Sequence, residues 1–170
     1  MAGIGRNMVA PLLVLNLVMY LIVIGFASWN LNHFINGQTN YPGVGGNGAT
    51  FFFLVFAILA GVVGAASKLA GVHHVRAWRR DSLATNAASS LIAWAITALA
   101  FGLACKEIHI GGHRGWRLRV LEAFVIILAF TQLLYVLMLH TGLFGGSGGY
   151  RDHDYGVGGG AGEPKGTERV

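Results

Sequence analysis

Long apolar stretches alternate with short polar ones along this chain. Four of them are close to the roughly 20 residues that a helix needs to cross the hydrocarbon core of a bilayer. They lie at Met8–Trp29, Ala49–Ser67, Leu83–Cys105 and Val120–Thr141. Helices satisfy their own backbone polar groups in lipid. The pattern therefore predicts an all-α membrane protein, a four-transmembrane-helix bundle forming one domain over residues 1–144.

Charge in the connecting segments predicts the orientation of this bundle. Four spans place both termini on one side, and Lys and Arg are enriched in cytoplasmic loops. With the termini inside, the inner side has Arg6, Lys68, Arg76, Arg79, Arg80 and Arg151. The outer side has Lys106, Arg114, Arg117 and Arg119. The count modestly favours cytoplasmic termini. Residues 145–170 are rich in glycine and lack the apolar content to fold, which predicts a disordered tail.

Composition narrows the class of partner. Hydrophobic residues make up 54% of the chain and charged residues 11%, with a formal net charge of +5. Because the positive charge lies in short loops between apolar runs, it indicates a topology signal and contact with anionic lipid headgroups rather than nucleic acid. Cys105 is the single cysteine, which excludes an intrachain disulfide. At the end of the third run it is expected to pack as a small hydrophobe, with palmitoylation as the alternative.

Small residues at helical spacing predict close helix packing. The second run has them at Ala57, Gly61 and Ala65, and the third at Ala84, Ala88, Ala95, Ala98 and Gly102. Such stripes let helix backbones approach each other in lipid. They predict a tight pair between the second and third helices, or a homo-oligomer that uses the same stripes.

Polar residues within the spans are the candidates for function. Glu122 is the only acidic residue inside a predicted span, and a charge there is costly unless it is paired or near water. One interpretation is a boundary salt bridge with Arg119, one turn earlier. The other is a carboxylate that couples protons to transport or orients a substrate.

Further polar side chains lie deeper or at the opposite interface. Asn16 and Gln132 are expected to form hydrogen bonds between helices, and a polar lining for a substrate path is the alternative. His140 shares a helical face with Glu122, five turns later. The two residues are either separate interfacial groups or the ends of one pathway.

Metal and enzyme chemistry find little support in the sequence. His109 and His113 are four residues apart, but Gly111-Gly112 interrupts the helix that would align them as ligands. No Ser-His-Asp or paired-carboxylate arrangement is evident. We predict no metal, no cofactor and no catalytic activity.

Four segments resemble the plant AWPM-19-like family over about residues 1–144. They are Ala27-Ser28-Trp29-Asn30-Leu31-Asn32-His33-Phe34, Ala77-Trp78-Arg79-Arg80-Asp81-Ser82-Leu83-Ala84, Ala104-Cys105-Lys106-Glu107-Ile108 and Gly115-Trp116-Arg117-Leu118-Arg119-Val120-Leu121-Glu122-Ala123-Phe124. The resemblance implies a multi-pass plasma-membrane protein of plants, associated with abscisic acid, cold or drought acclimation and late seed development. Part of the family is linked to abscisic acid import. It supplies no catalytic motif that transfers residue by residue.

Two functions remain open at this point. The first is facilitated uptake of abscisic acid, whose carboxylate would meet Lys68, Arg119, His33 or His140, with Glu122 coupling a proton. Asn16 and Gln132 complete the candidate substrate-binding set. The second is a non-transporting tetraspan protein that stabilises the membrane, or scaffolds partners, during dehydration or cold.

Overall fold

The structure is a computed structural model that describes residues 2–39, 43–77 and 80–145, with the side chains of 9–39, 43–72 and 85–141. These residues form four helices: α1 (Ala2–Ile35), α2 (Thr50–Ala77), α3 (Arg80–Ile110) and α4 (Trp116–Gly145). Each contains a segment long and apolar enough to cross a membrane: Val9–Ile35, Thr50–Val72, Thr85–Ile110 and Trp116–Thr141. The predicted all-α, four-span class is confirmed. Beyond Gly145, the predicted disordered tail lies outside the described residues.

The helices form a ring in which α1 packs on α2, α2 on α3, α3 on α4 and α4 on α1. Segments 43–49 and 111–115 meet at one end, which we call the loop end, where Gly45 and Arg114 form an isolated antiparallel bridge. At the opposite end, Val9 and Leu13 of α1 pack with Tyr135 of α4. The start of α1 and the end of α4 therefore lie at the same end of the bundle. Which side of the membrane that end faces stays a prediction.

The bundle is apolar outside, and its mainly apolar interior contains a set of buried polar side chains. Large apolar side chains are exposed on all four helices, among them Val14, Leu21, Leu59, Val62, Ile92, Leu99, Ile127 and Phe130. Polar side chains are buried on all four helices, among them Asn16, Lys68, Ser90, Thr97, Glu107 and Gln132. An isolated polar group is costly in hydrocarbon, whereas an exposed leucine is not. This distribution is the one expected for a bundle whose outer surface contacts lipid.

The inward face of each helix follows a spacing of alternately three and four residues. In α3 the buried positions are Asn86, Ser90, Ala93, Thr97, Ala100, Ala104 and Glu107. In α1 they include Val9, Leu13, Asn16, Tyr20, Val23, Ala27 and Asn30. A 3–4 repeat is the seam of left-handed helix bundles.

The predicted small-residue contact between α2 and α3 is wrong in its details. The two helices do pack, but Ala88, Ala95 and Gly102 of α3 are exposed. A Cβ on Gly102 would have no heavy atom within 4 Å. Gly61 and Gly64 of α2 instead approach α1, because a Cβ on Gly61 would overlap Ile24 and one on Gly64 would overlap the ring of Tyr20. Ala84 lies outside the described side chains.

Helix ends at the loop end are set by local chemistry. Gly111 and Gly112 follow α3 with φ of 74° and 98°, a left-handed conformation that glycine adopts readily and that stops a helix. At the start of α2, Asn47 Oδ1 accepts a hydrogen bond of 2.9 Å from the N–H of Ala49. This bond satisfies one of the amides that a helix N-terminus leaves unpaired. The predicted interruption at Gly111-Gly112 is confirmed.

Candidate functional site: a cationic cleft and a polar interior

A cleft of about 300 Å³ lies at the loop end, between the end of α1, segment 43–49 and the start of α4. Its basic and aromatic lining residues are His33, His113, Arg117, Arg119, Trp29 and Trp116. Asn30, Gly43, Val44 and Gly115 complete the lining, and no acidic side chain of the described residues belongs to it. Positive charge next to flat apolar rings is what an amphipathic organic anion requires of a binding site.

Arg117 is held in this cleft by stacking. Its guanidinium carbon lies 4.0 Å from the ring centroid of Trp29 and 4.8 Å from that of Trp116. Trp29 also stacks with His33, and the centroids of these two rings are 3.7 Å apart. A contact between a cation and an aromatic ring is worth about 0.5–1 kcal/mol at an exposed site. Both indoles therefore contact the Arg117 guanidinium and hold it at the cleft wall.

Backbone hydrogen bonds fix the two segments that frame the cleft. The N–H of Gly46 donates to the carbonyl oxygen of His113 at 2.8 Å, and the N–H of Gly115 donates to that of Val44 at 2.8 Å. Gly45 has φ of +68°, and a Cβ there would overlap the His113 carbonyl. Only glycine fits at this position.

Glu107 lies at the same end of the bundle, fully buried on α3. Its Oε1 accepts a hydrogen bond of 2.7 Å from the hydroxyl of Thr50, and its Oε2 has no partner. The Asn47 side chain donates to the backbone carbonyl oxygens of Glu107 and Gly111, each at 3.1 Å. The start of α2 is thus bonded to the end of α3, around a buried carboxyl group.

Glu122 forms the expected boundary salt bridge, but with a different arginine. Its Oε2 accepts from Nη1 of Arg114 at 2.8 Å, and the two side chains are 4% and 21% exposed, respectively. Arg119 is exposed and donates from Nε to the carbonyl oxygen of Arg114 at 3.1 Å. The predicted pairing with Arg119 is therefore wrong. Arg114 reaches Glu122 from segment 111–115, whereas the exposed Arg119 lines the cleft.

A second group of polar residues lies inside the bundle, toward the end opposite the loop end. Lys68 is fully buried, with its Nζ 3.5 Å from the ring centroid of Tyr135 and 3.4 Å from Oγ of Ser90. Asn86 donates to the hydroxyl oxygen of Tyr135 at 3.1 Å. Ser67 and Ser90 place their hydroxyls 3.3 Å apart. Three helices thereby surround one ammonium group with neutral polar partners.

The same network continues to α1. The Gln132 amide donates to the carbonyl oxygen of Ser90 at 3.1 Å, and its Oε1 accepts from Nδ2 of Asn16 at 3.2 Å. Asn16 also donates to the carbonyl oxygen of Thr131 at 3.3 Å. The expected interhelical bonding of Asn16 and Gln132 is confirmed.

The structure divides the seven predicted site residues among four places. His33 and Arg119 line the cleft, and Glu122 lies in the ion pair with Arg114. Asn16, Gln132 and Lys68 belong to the interior network. His140 stands apart, half-buried, with Nδ1 2.9 Å from the carbonyl oxygen of Val136 on its own helix. No described contact joins His140 to Glu122.

Sequence reasoning did not identify two residues that the structure places at the site: Arg117 in the cleft lining and Glu107 buried on α3. In the sequence Arg117 counts only as one of the outer-side charges, and its contacts with Trp29 and Trp116 depend on α1 and α4 meeting. Glu107 was placed in a loop because the third apolar run stops at Cys105, whereas α3 continues to Ile110. A signal was available: Glu107 continues the 3–4 spacing of Ser90, Ala93, Thr97, Ala100 and Ala104.

Four helices with apolar outer surfaces and buried polar side chains define a four-helix, membrane-spanning protein whose environment is the lipid bilayer. Residues 14–142 match the sequence model of the AWPM-19-like family. The chain belongs to this family, as its loop segments indicated.

One relative extends this assignment over nearly the whole chain. The chain is 80% identical over 163 residues to the Membrane protein PM19L of Oryza sativa subsp. japonica, which covers 96% of this chain and 91% of the relative. No solved structure matches.

Proposed function

We propose that the protein facilitates uptake of abscisic acid across the plant plasma membrane, without chemical conversion of the substrate. The observation behind this proposal is the cleft at the loop end, where cations and indole rings converge and no described carboxylate contributes to the lining. Abscisic acid combines one carboxylate with an apolar ring, so both halves of the molecule have a complementary surface. The choice of abscisic acid and of the plasma membrane rests on the family resemblance.

The cleft is suited to first contact with the anion. With cytoplasmic termini, as charge counting favours, the loop end faces outward. The guanidinium groups of Arg117 and Arg119 then receive the carboxylate, and Trp29 and Trp116 contact the ring. A charge-assisted hydrogen bond is about twice as strong as a neutral one, which favours the anion over uncharged solutes of similar shape.

Lys68 supplies a second cation farther along the bundle. It lies 18 residues after Thr50 on α2 (68 − 50), which is about 27 Å along a helix. Its described partners, Ser90 and the Tyr135 ring, are uncharged. A buried ammonium group with neutral partners is costly, and a passing carboxylate would offset that cost. We assign Lys68 as the interior partner of the substrate anion.

Uptake of labelled abscisic acid into proteoliposomes containing only this protein tests the proposal. We expect saturable uptake above that of empty liposomes, competed less well by abscisic acid methyl ester, which lacks the charge. Arg117→Gln should raise the half-saturation concentration about tenfold, as expected for loss of one charge-assisted hydrogen bond. Lys106→Gln removes an exposed cation outside the cleft lining and should change nothing. Uptake equal to that of empty liposomes, at every imposed pH gradient, would refute the carrier function.

A membrane-stabilising or scaffolding role is the second candidate. It is favoured by the interior network, in which Asn16, Gln132 and Ser90 bond to one another rather than line a described cavity. The exposed α3 stripe of Ala88, Ala95 and Gly102 supplies a smooth surface for a homo-oligomer. This role predicts abscisic acid uptake no faster than in empty liposomes. It also predicts altered leakage of a trapped dye after the liposomes are dried and rehydrated.

A further inference from the structure

Glu107 is a buried carboxyl group that the cleft itself does not use. The backbone N–H of Asn47 donates to Oγ1 of Thr50 at 2.7 Å, so the hydroxyl proton of Thr50 is directed to Oε1 of Glu107. The second oxygen, Oε2, is buried and accepts no hydrogen bond. Capping the start of α2 does not by itself require a fully buried acidic residue, because a short polar side chain caps a helix equally well.

Charge at this end of the bundle does not balance when both carboxyl groups are ionised. Among the described residues, the charged groups that act electrostatically on Glu107 are Glu122 of α4 and Arg114 of segment 111–115. From α2 the facing group is the hydroxyl of Thr50, which does not titrate at physiological pH. Arg114 is engaged by Glu122 at 2.8 Å. Arg119 also acts on Glu122, but its side chain is exposed to the surface and donates to a backbone carbonyl oxygen. Among the described residues, one partly buried guanidinium is therefore shared by two buried carboxyl groups, so that ionisation of both leaves one negative charge without an ion-pair partner.

The ion-pair partner of Glu122 is reached by a surface cleft. This second cleft, of about 220 Å³, is lined by Gly112, His113, Arg114 and Arg119. His113 and Arg119 also line the cationic cleft. The Arg114 end of the carboxyl cluster therefore borders the same side of the protein as the cationic cleft, and a proton would approach from that side.

We propose that Glu107 is the proton-binding group that couples abscisic acid uptake to proton movement, an inference that rests on the proposed function. With a proton on Glu107, the cluster of Glu107, Glu122 and Arg114 is neutral, and the cleft above it presents its full positive charge to an anion. Without that proton the cluster is negative and repels the anion. Glu122 is not assigned as the proton-binding group, because its ion pair with Arg114 already neutralises its charge. Proton and anion therefore bind together.

The test compares wild type with Glu107→Gln in proteoliposomes, measuring the half-saturation concentration of the abscisate anion against external pH. The rate in empty liposomes is subtracted at each pH. In the wild type we expect the half-saturation concentration to rise about five- to tenfold between pH 5.5 and pH 7.5, as one nearby charge appears at an effective dielectric constant of about 20. Glu107→Gln keeps the neutral state permanently, so its value should stay at the wild-type acid level throughout. Entrapped pyranine should report proton entry with the anion in the wild type and none in the variant.

The outcomes separate the two proposals. If wild-type uptake does not exceed that of empty liposomes, the carrier function and this inference both fail. If wild-type uptake is present and Glu107→Gln retains its pH profile and proton entry, the inference alone fails. Should Glu107→Gln not fold, Thr50→Val keeps the carboxyl group and removes its hydroxyl donor. The pH midpoint of uptake must then move, and an unmoved midpoint overturns the proposal. Lys106→Gln is the control that should match wild type in every measurement.

Discussion

The ion pair of Arg114 and Glu122 allows a quantitative test of which arginine serves the buried carboxylate. Arg114→Met removes the charge and leaves Glu122 without its hydrogen-bonded cation at a position where its side chain is only 4% exposed. Removal of one partner from a buried pair costs about 3–5 kcal/mol. Because Arg114 is itself 21% exposed, we take the lower limit, about 3 kcal/mol.

The reverse substitution should cost less, because the two partners differ in their access to water. Glu122→Gln leaves the charge on Arg114, whose partly exposed guanidinium can be solvated, so we expect a loss of about 1 kcal/mol. The double variant removes both charges. Its loss should fall short of the sum of the single losses by about 1–2 kcal/mol, which is the coupling between the two side chains.

Thermal unfolding in a single detergent, followed by circular dichroism, measures these differences. For a chain of this size 1 kcal/mol corresponds to about 2–4 °C, so Arg114→Met should lower Tm by about 6–12 °C and Glu122→Gln by about 2–4 °C. The control is Arg119→Met, which removes the arginine that sequence spacing pairs with Glu122 and should change stability by no more than about 0.5 kcal/mol. Equal losses for the two arginine variants, or strictly additive losses in the double variant, would refute the reasoning.

Three further outcomes are expected. Ala93→Leu adds bulk to the packed face of α3 and should destabilise the bundle by about 1–3 kcal/mol. Ala95→Leu on the exposed face should change stability by no more than about 0.5 kcal/mol, and the melting temperatures of the two variants test this difference. Lys68→Met should leave Tm unchanged or raise it, because a buried cation is exchanged for an apolar side chain of similar length, while uptake of abscisic acid falls; normal uptake would exclude Lys68 from the substrate path. Lys106 is exposed near the loop end, so an impermeant amine reagent should modify it in intact cells. Modification only after lysis would place the loop end inside.

The four helices could be predicted from the sequence because length and apolarity are sufficient to identify spans in a membrane protein. Their ends could not be predicted as well. Apolar content stops near Cys105, yet α3 continues to Ile110 because Asn47 and Thr50 of the neighbouring segment supply partners for Glu107 and the last carbonyl groups. Such partners are known only once the helices are placed.

The cleft could be predicted only in part. His33 and Arg119 were candidate partners of a carboxylate, but their proximity depends on segments 43–49 and 111–115 pairing through backbone groups. Backbone pairing between distant loops leaves no residue pattern beyond the glycines that it requires. Gly45 is one of these glycines, with a positive φ and a close contact with the His113 carbonyl. In the sequence alone, a glycine here indicates a turn but does not show which loop pairs with it.

The error over α3 shows which physical criterion decides the inward face of a membrane helix. Two stripes with 3–4 spacing compete there: one of small residues through Ala88, Ala95 and Gly102, and one that contains Ser90, Thr97 and Glu107. Small apolar residues lose little by contacting lipid, because lipid tails are as apolar as their alternative partners. Hydroxyl and carboxyl groups lose their hydrogen-bond partners there. The polar stripe therefore turns inward and meets Tyr20, Lys68 and Gln132. The same preference places Glu107 inside the bundle, where its carboxyl group accepts a hydrogen bond from Thr50.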